Sequence, residues 1–283
     1  MAPTTTRISP TAYYTGTTWL RHDLGDKALE QALQTWRYDL VQPLMRLGRA
    51  MHNGAGLDEV LLQRHRIIDH LLDREIQDHG LRQIVEVPCG LSARGLRTCQ
   101  AHPDVVYIEA DLPHMVEMKQ SALAGRLSSG HSIVPVDLLV PDGPGSLGAL
   151  IGGLDPAQPV ALIMEGMLNY FDEQTIRDIW TRGAAAMASF PRSTYLADVA
   201  MKPHINASGL ARMFMKTLSV VARGHMHVHF TGRPAATDAL LAAGFATATV
   251  HEPSDHHDLG LPAANAPDHI AVLEAHGGTD MTT

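Results

Sequence analysis

Gln83-Ile84-Val85-Glu86-Val87-Pro88-Cys89-Gly90 is the stretch on which the fold is decided. A short run rich in β-branched residues stops at Pro88 and Gly90, which reads as a buried strand entering a tight loop. Upstream of it the apolar period is helical. Leu29, Leu33, Trp36 and Leu40 predict a helix over about 28–47, and Leu61, Leu62, His65, Ile68, Leu71 and Leu72 a second over about 58–79. Downstream the period alternates. Strands are expected at 105–110, 132–136, 160–164, 193–199, 245–251 and 269–274. Helices are expected at 93–102, 112–127, 172–189, 207–222 and 235–243, and a Gly/Pro-rich loop at 141–156. Such alternation predicts an α/β fold with a mostly parallel sheet and helices on both faces. Residues 1–18 read as a flexible arm with an ordered stretch at Tyr13-Tyr14-Thr15-Gly16, and the chain from Ala275 as a loose tail.

The acids fall at one place in this pattern. Glu86, Asp111, Asp137 and Glu165 each stand at or just before the carboxyl end of a predicted strand, where open α/β sheets bind their ligands. A row of carboxylates suits ribose hydroxyls, an exocyclic amine and an ammonium group, and it repels phosphates. The turn after the first strand agrees. It lacks the G-x-G-x-x-G of a dinucleotide site, and the chain holds no G-x-x-x-x-G-K-[ST] phosphate loop. One close-approach glycine, Gly90, after an acidic strand end fits a turn that cradles S-adenosylmethionine.

Composition removes other classes. Lys plus Arg number 22 against 30 Asp plus Glu, a net charge of -8, which argues against a nucleic-acid partner. Two cysteines in 283 residues make no disulfide framework. No run of about 18 apolar residues predicts a membrane span, and the Thr- and Pro-rich N-terminus lacks a secretory apolar region. A cytoplasmic protein with no membrane partner is expected, acting on a small molecule, and a homodimer is compatible with the sequence.

Five segments together resemble the leucine carboxyl methyltransferase superfamily, closest to its tetracenomycin-type polyketide O-methyltransferases. Ile8-Ser9-Pro10-Thr11-Ala12-Tyr13-Tyr14-Thr15-Gly16 with Trp19 is similar to the family's N-terminal arm. Arg64-His65-Arg66-Ile67-Ile68-Asp69 resembles its R-x-R-x-I-D helix. Glu86 to Arg94, then Arg97, resembles its E-x-x-x-G-L-S-x-R turn. Tyr107-Ile108-Glu109-Ala110-Asp111-Leu112-Pro113 and Met164-Glu165-Gly166-Met167-Leu168-Asn169-Tyr170-Phe171 resemble two further signatures, Y-x-E-x-D-L-P and E-G-x-x-x-Y-F/L. The sequence departs at Pro88-Cys89, where many relatives carry small residues; Cys89 reads as a buried, inert thiol.

The resemblance implies a Rossmann-like class I methyltransferase with a helical N-terminal extension. Residues 1–80 would form the arm and a helical lid or cap. Residues 81–275 would form the S-adenosylmethionine-binding domain, with a helical insertion near 200–230, and 276–283 a disordered tail. It also implies roles. Arg64 would meet the cofactor carboxylate, with Arg66 ranked second. Gly90 would let the cofactor lie against the backbone, and Asp111, followed by Leu112, would take the ribose hydroxyls. Asp137 and Leu138 would face the adenine, Glu165 would meet the ammonium group, and Glu86 completes the acid row. The cofactor is S-adenosyl-L-methionine. The acceptor is a carboxyl or hydroxyl oxygen of a small, polyketide-like secondary metabolite. A carboxylate acceptor needs no base, whereas a hydroxyl does; Tyr14, Tyr170 and His204 are the candidates, with Tyr13 beside them on the arm.

Histidine is the rival lead, at 17 residues. His225, His227 and His229 alternate and Asp255-His256-His257-Asp258 follows, so a metal-dependent hydrolase is the alternative reading, with an inactive S-adenosylmethionine-fold binding module as a third. No helical H-E-x-x-H motif accompanies these histidines, and no metal ligands are assigned from the sequence.

Overall fold

The computed structural model describes residues 10–30, 56–206 and 226–281. Seven strands form one sheet in the order β3-β2-β1-β4-β5-β7-β6. They are β1 (Gln83–Glu86), β2 (Val106–Asp111), β3 (His131–Pro135), β4 (Val160–Met164), β5 (Ser193–Val199), β6 (Thr247–His251) and β7 (Ala271–Gly277). β1 to β5 pair in parallel, and β7 runs antiparallel between β5 and β6. The chain winds outward from β1 to β3, then crosses to β4 on the other side of β1. The strand order therefore switches between β1 and β4, and the carboxyl ends of those strands frame a crevice.

Alternation along each strand builds two cores. Val85, Leu162, Met164, Tyr195 and Ala197 face one side, where they meet Ile176, Trp180 and Met187 of the Glu173–Met187 helix and Ala236 and Leu240 of the Arg233–Ala242 helix. Ile84, Ala161, Ile163 and Leu196 face the other, against Ile67, Ile68, Leu71 and Leu72 of the Leu57–Asp78 helix. Those four helix residues are at most 1% exposed, so each contributes about 1.5–3 kcal/mol of burial. The helix that carries Arg64 is thus anchored to the sheet by its own apolar stripe.

Four expectations change. Residues 10–21 are a helix (Pro10–Arg21) and not a loose arm. Pro10 starts it, and Trp19 packs with Leu61 and Leu62; this tertiary contact overrides the Thr- and Gly-rich composition. A five-residue helix, Leu147–Ile151, interrupts the expected 141–156 loop, capped by Ser146 and fixed by buried Leu147 and Ile151. β7 runs on to Gly277, past the expected start of the tail, because His276 and Gly277 pair with Thr194 and Ser193. The helix after β2 is also shorter than expected, Pro113–Ala122. Most of the expected 28–47 helix and the 207–222 helix lie outside the described residues. Among the described residues, no helix is long and apolar enough to cross a membrane.

Candidate functional site

The sheet brings the predicted acids to one edge, in two layers. The front layer is half-buried: Arg64, Gly90, Leu112, Asp137, Glu165, Gly166 and Tyr170. The back layer is closed off: Glu86, Arg94 and Asp198 are 1–3% exposed. Asp111 and Leu138, at 7% and 8%, lie between them.

Asp111 ends β2 and is pinned by two backbone amides. Its Oδ2 accepts from Gly90 N and its Oδ1 from Leu112 N, both at 2.8 Å. Each oxygen keeps a second lone pair. Burial pushes this carboxyl above its ordinary value, and the two amides offset part of that. Gly90 adopts φ +48° and has no atom within 4 Å of where a Cβ would sit, so the backbone there is open to close approach. The preceding Val87–Pro88 peptide is cis. Cys89 is 3% exposed and burial pushes its thiol up, which leaves it protonated and inert. Asp137 follows β3 and turns its Oδ1 back to Leu139 N at 2.9 Å.

Glu165, just past β4, is the hub. Its Oε1 accepts from Arg64 Nε at 3.1 Å; its Oε2 lies 2.9 Å from His65 Nδ1 and 2.5 Å from Arg94 Nη2. Burial raises this carboxyl, but His65, Arg94 and Arg64 outweigh it and hold it well below the usual range. Arg64 also donates to Asp198 Oδ2 at 2.9 Å. Gly166 N donates to Asp198 Oδ1 at 2.5 Å, and the remaining Arg64 nitrogen lies beside Gly166.

The expected cofactor contact of Glu86 is a correction. One oxygen accepts from Arg94 at 2.6 Å and the other from Tyr107 Oη at 2.8 Å, so Glu86 supports the loop from behind. Arg94 also donates to Asp69 at 2.5 Å, and Arg97 to the other Asp69 oxygen at 2.9 Å. Asp198, Arg64, Glu165, Arg94 and Glu86 thus form a buried ladder of alternating charge.

The base candidates separate. Tyr14 Oη donates to Asp58 Oδ1 at 2.6 Å, which docks the N-terminal helix on the Leu57–Asp78 helix. His204 is 4% exposed. Its Nδ1 accepts from Met201 N at 3.1 Å and its Nε2 lies 2.9 Å from Glu252 Oε1, so both ring nitrogens serve the structure and His204 is removed as a base. Tyr170 remains at the front, near enough to Arg64 for their charges to interact. In the histidine set, His225 lies outside the described residues. The rings of His227 and His229 stack at 6.1 Å, behind the loop that follows β4.

Three residues gained no role from the sequence. Asp198 stands just before the end of β5, and the strand-end rule that selected the other acids points to it equally. Arg94 stands in a quoted signature without a partner assigned. Glu109 shares β2's inward face and meets Lys119 Nζ at 2.7 Å, both fully buried.

The leucine carboxyl methyltransferase family profile matches residues 17–183, more than half of the chain. A Mycolicibacterium smegmatis protein named as an S-adenosyl-L-methionine-dependent methyltransferase is 39% identical over 100 residues, 34% of this chain and 32% of that relative. The matching part therefore spans about a third of that curated relative's length. A crystal structure of a Thermobifida fusca protein described as a methyltransferase superposes with a TM-score of 0.61 at 12% identity, over 84% of this chain and 88% of that one. Human N-acetylserotonin methyltransferase, solved in complex with S-adenosylmethionine, gives a TM-score of 0.50 at 10% identity, over 95% of this chain and 67% of that one. At these identities the likeness is one of fold.

Proposed function

This chain belongs to the leucine carboxyl methyltransferase family, and we propose that it methylates a carboxyl or hydroxyl oxygen of a small, polyketide-like metabolite in the cytoplasm, using S-adenosyl-L-methionine. The observation that carries the reading is Asp111, a strand-end carboxylate oriented by the Gly90 and Leu112 amides beside an open glycine.

The donor set fits the cofactor. Asp111 offers lone pairs to a ribose diol, and Gly90 allows backbone approach. Asp137 accepts from an adenine amine while Leu138 packs its ring. Arg64 and Glu165 offer opposite charges to an amino-acid end, and Asp198 holds Arg64 in place. Bound S-adenosylmethionine supplies an electrophilic methyl on a sulfonium sulfur. The chain then has to orient the acceptor oxygen and exclude water, and positioning supplies much of the rate in such a displacement. The half-buried front layer faces the acceptor, and of the three base candidates Tyr170 is the one that stands in it. A carboxylate acceptor would leave Tyr170 a positioning role.

Calorimetry with S-adenosylhomocysteine tests the reading. Saturable one-to-one binding is expected. Asp111→Asn, which keeps one acceptor oxygen, should weaken it about tenfold to a hundredfold, the worth of a charge-assisted hydrogen bond. Absence of binding at millimolar ligand sinks the proposal.

A further inference from the structure

Three histidines outside the strand-end site converge where the Leu57–Asp78 helix packs near the antiparallel edge of the sheet. His251 closes β6, His256 follows the short turn Pro253–Asp255, and His70 projects from the helix. His256 Nε2 lies 3.2 Å from His251 Nδ1, with the ring centroids 5.2 Å apart. The His70 ring stands edge-on to His256 at 6.0 Å. The other nitrogen of His251 lies 2.9 Å from Glu274 Oε2, and Glu274 is 4% exposed.

That last contact sets the chemistry. The buried carboxylate accepts a hydrogen bond from His251 Nε2–H and so turns the Nδ1 lone pair toward His256. A carboxylate that orients a histidine through its far nitrogen is the usual support of a metal-binding imidazole. The spacing agrees as well. Nitrogens about 2.0–2.1 Å from a tetrahedral zinc ion stand about 3.3–3.4 Å apart.

A second group nearby behaves differently. Glu75, Glu274 and His276 bring ligand atoms within 4.8 Å of one another. Arg74 already donates to Glu274, and Arg192 to Glu75 at 2.9 Å, so both carboxylates there hold a guanidinium. The histidine trio carries no such internal cation.

We propose that His251, His256 and His70 form a binding site for a divalent transition-metal ion of the zinc class. Glu274 orients His251, His70 swings in by side-chain rotation, and solvent completes the coordination. The ion ties the helix that carries Arg64 and His65 to the β6 edge, and so rigidifies one wall of the strand-end site from outside it.

The test uses the untagged full-length chain, stripped with chelator and titrated calorimetrically with Zn²⁺ alone. One equivalent is expected to bind. His256→Ala and His70→Ala should each weaken that binding at least tenfold, while His257→Ala, the exposed neighbour, leaves it unchanged. Zn²⁺ should also raise the Tm of the wild type and not of His256→Ala. His70 lies on an exposed helix face, so its variant keeps the test open should His256→Ala fold poorly. Absence of stoichiometric binding in the wild type overturns the proposal, as does an equal loss in His257→Ala.

Discussion

Asn169 holds His227 through both backbone groups: its Nδ2 donates to the His227 carbonyl at 2.7 Å, and its own carbonyl accepts the His227 amide at 2.8 Å. The same side chain pairs with Ala200, accepting its amide at 2.9 Å and donating to its carbonyl at 3.1 Å. One buried amide therefore fastens the returning chain near 226–230 to the end of β5. Asn169→Ala leaves the His227 carbonyl and both Ala200 backbone groups without their side-chain partner, while the His227 amide keeps its main-chain bond, and should cost about 1–3 kcal/mol. A urea denaturation midpoint that does not move would refute the clamp.

Arg94 neutralises Glu86, Glu165 and Asp69 together. Arg94→Met would leave buried Glu86 without its cation and take one of two guanidinium partners from Glu165 and from Asp69, and removal of one side of a buried ion pair costs about 3–5 kcal/mol. Arg94→Lys should recover only part of the loss, because an ammonium cannot reach all three with a planar fork. Chemical denaturation of both variants checks the order; equal stability of the two would contradict it.

Two glycine-to-alanine substitutions should differ in sign. At Gly95 a Cβ would lie 2.5 Å from Glu109 Oε1 and 2.7 Å from His131 Nε2, so Gly95→Ala should destabilise by about 1–3 kcal/mol. At Gly148, inside the Leu147–Ile151 helix, nothing lies within 4 Å. Gly148→Ala should stabilise by about 0.5–1 kcal/mol. Paired thermal melts decide both.

Asp69, held by Arg94 and Arg97 beside the charge ladder, predicts an acid limit. Burial raises Asp69, but His65, Arg94 and Arg97 outweigh it and hold it at about 2. A carboxyl depressed by folding stabilises above its unfolded value and loses that contribution as pH falls through the folded one. Stability on the order of 2 kcal/mol from Asp69 should therefore vanish between about pH 4 and pH 2. Asp69→Asn should flatten that slope in urea melts at pH 7, 4 and 3. A slope equal to the wild type's would show that Asp69 is not the group responsible.

The strands were legible because their apolar runs are short and bounded by Asp, Glu, Pro or Gly. β4 and β5 begin and end where Val160, Met164, Ser193 and Val199 stand in the sequence reading. The Pro10–Arg21 helix was not, since what stabilises it is Trp19 against Leu61 and Leu62, a contact no local pattern shows. The same divide runs through the site. Strand-end position, a local property, singles out Asp111 and Glu165 as candidates. Which of those acids is already neutralised depends on side-chain packing that strand-end position does not show: Glu86 stands at a strand end like the others, yet its carboxylate faces Arg94 and Tyr107.

Arg64 meets Glu165 across 101 positions and Asp198 across 134, and this separation carries a kinetic meaning. Loops that long must close before their contacts return anything, so non-local pairings form late. The helices and the β1–β2 pair can assemble from near neighbours; the wall of the crevice cannot. A chain diluted out of denaturant should regain its secondary structure first and its capacity to recognise a ligand last.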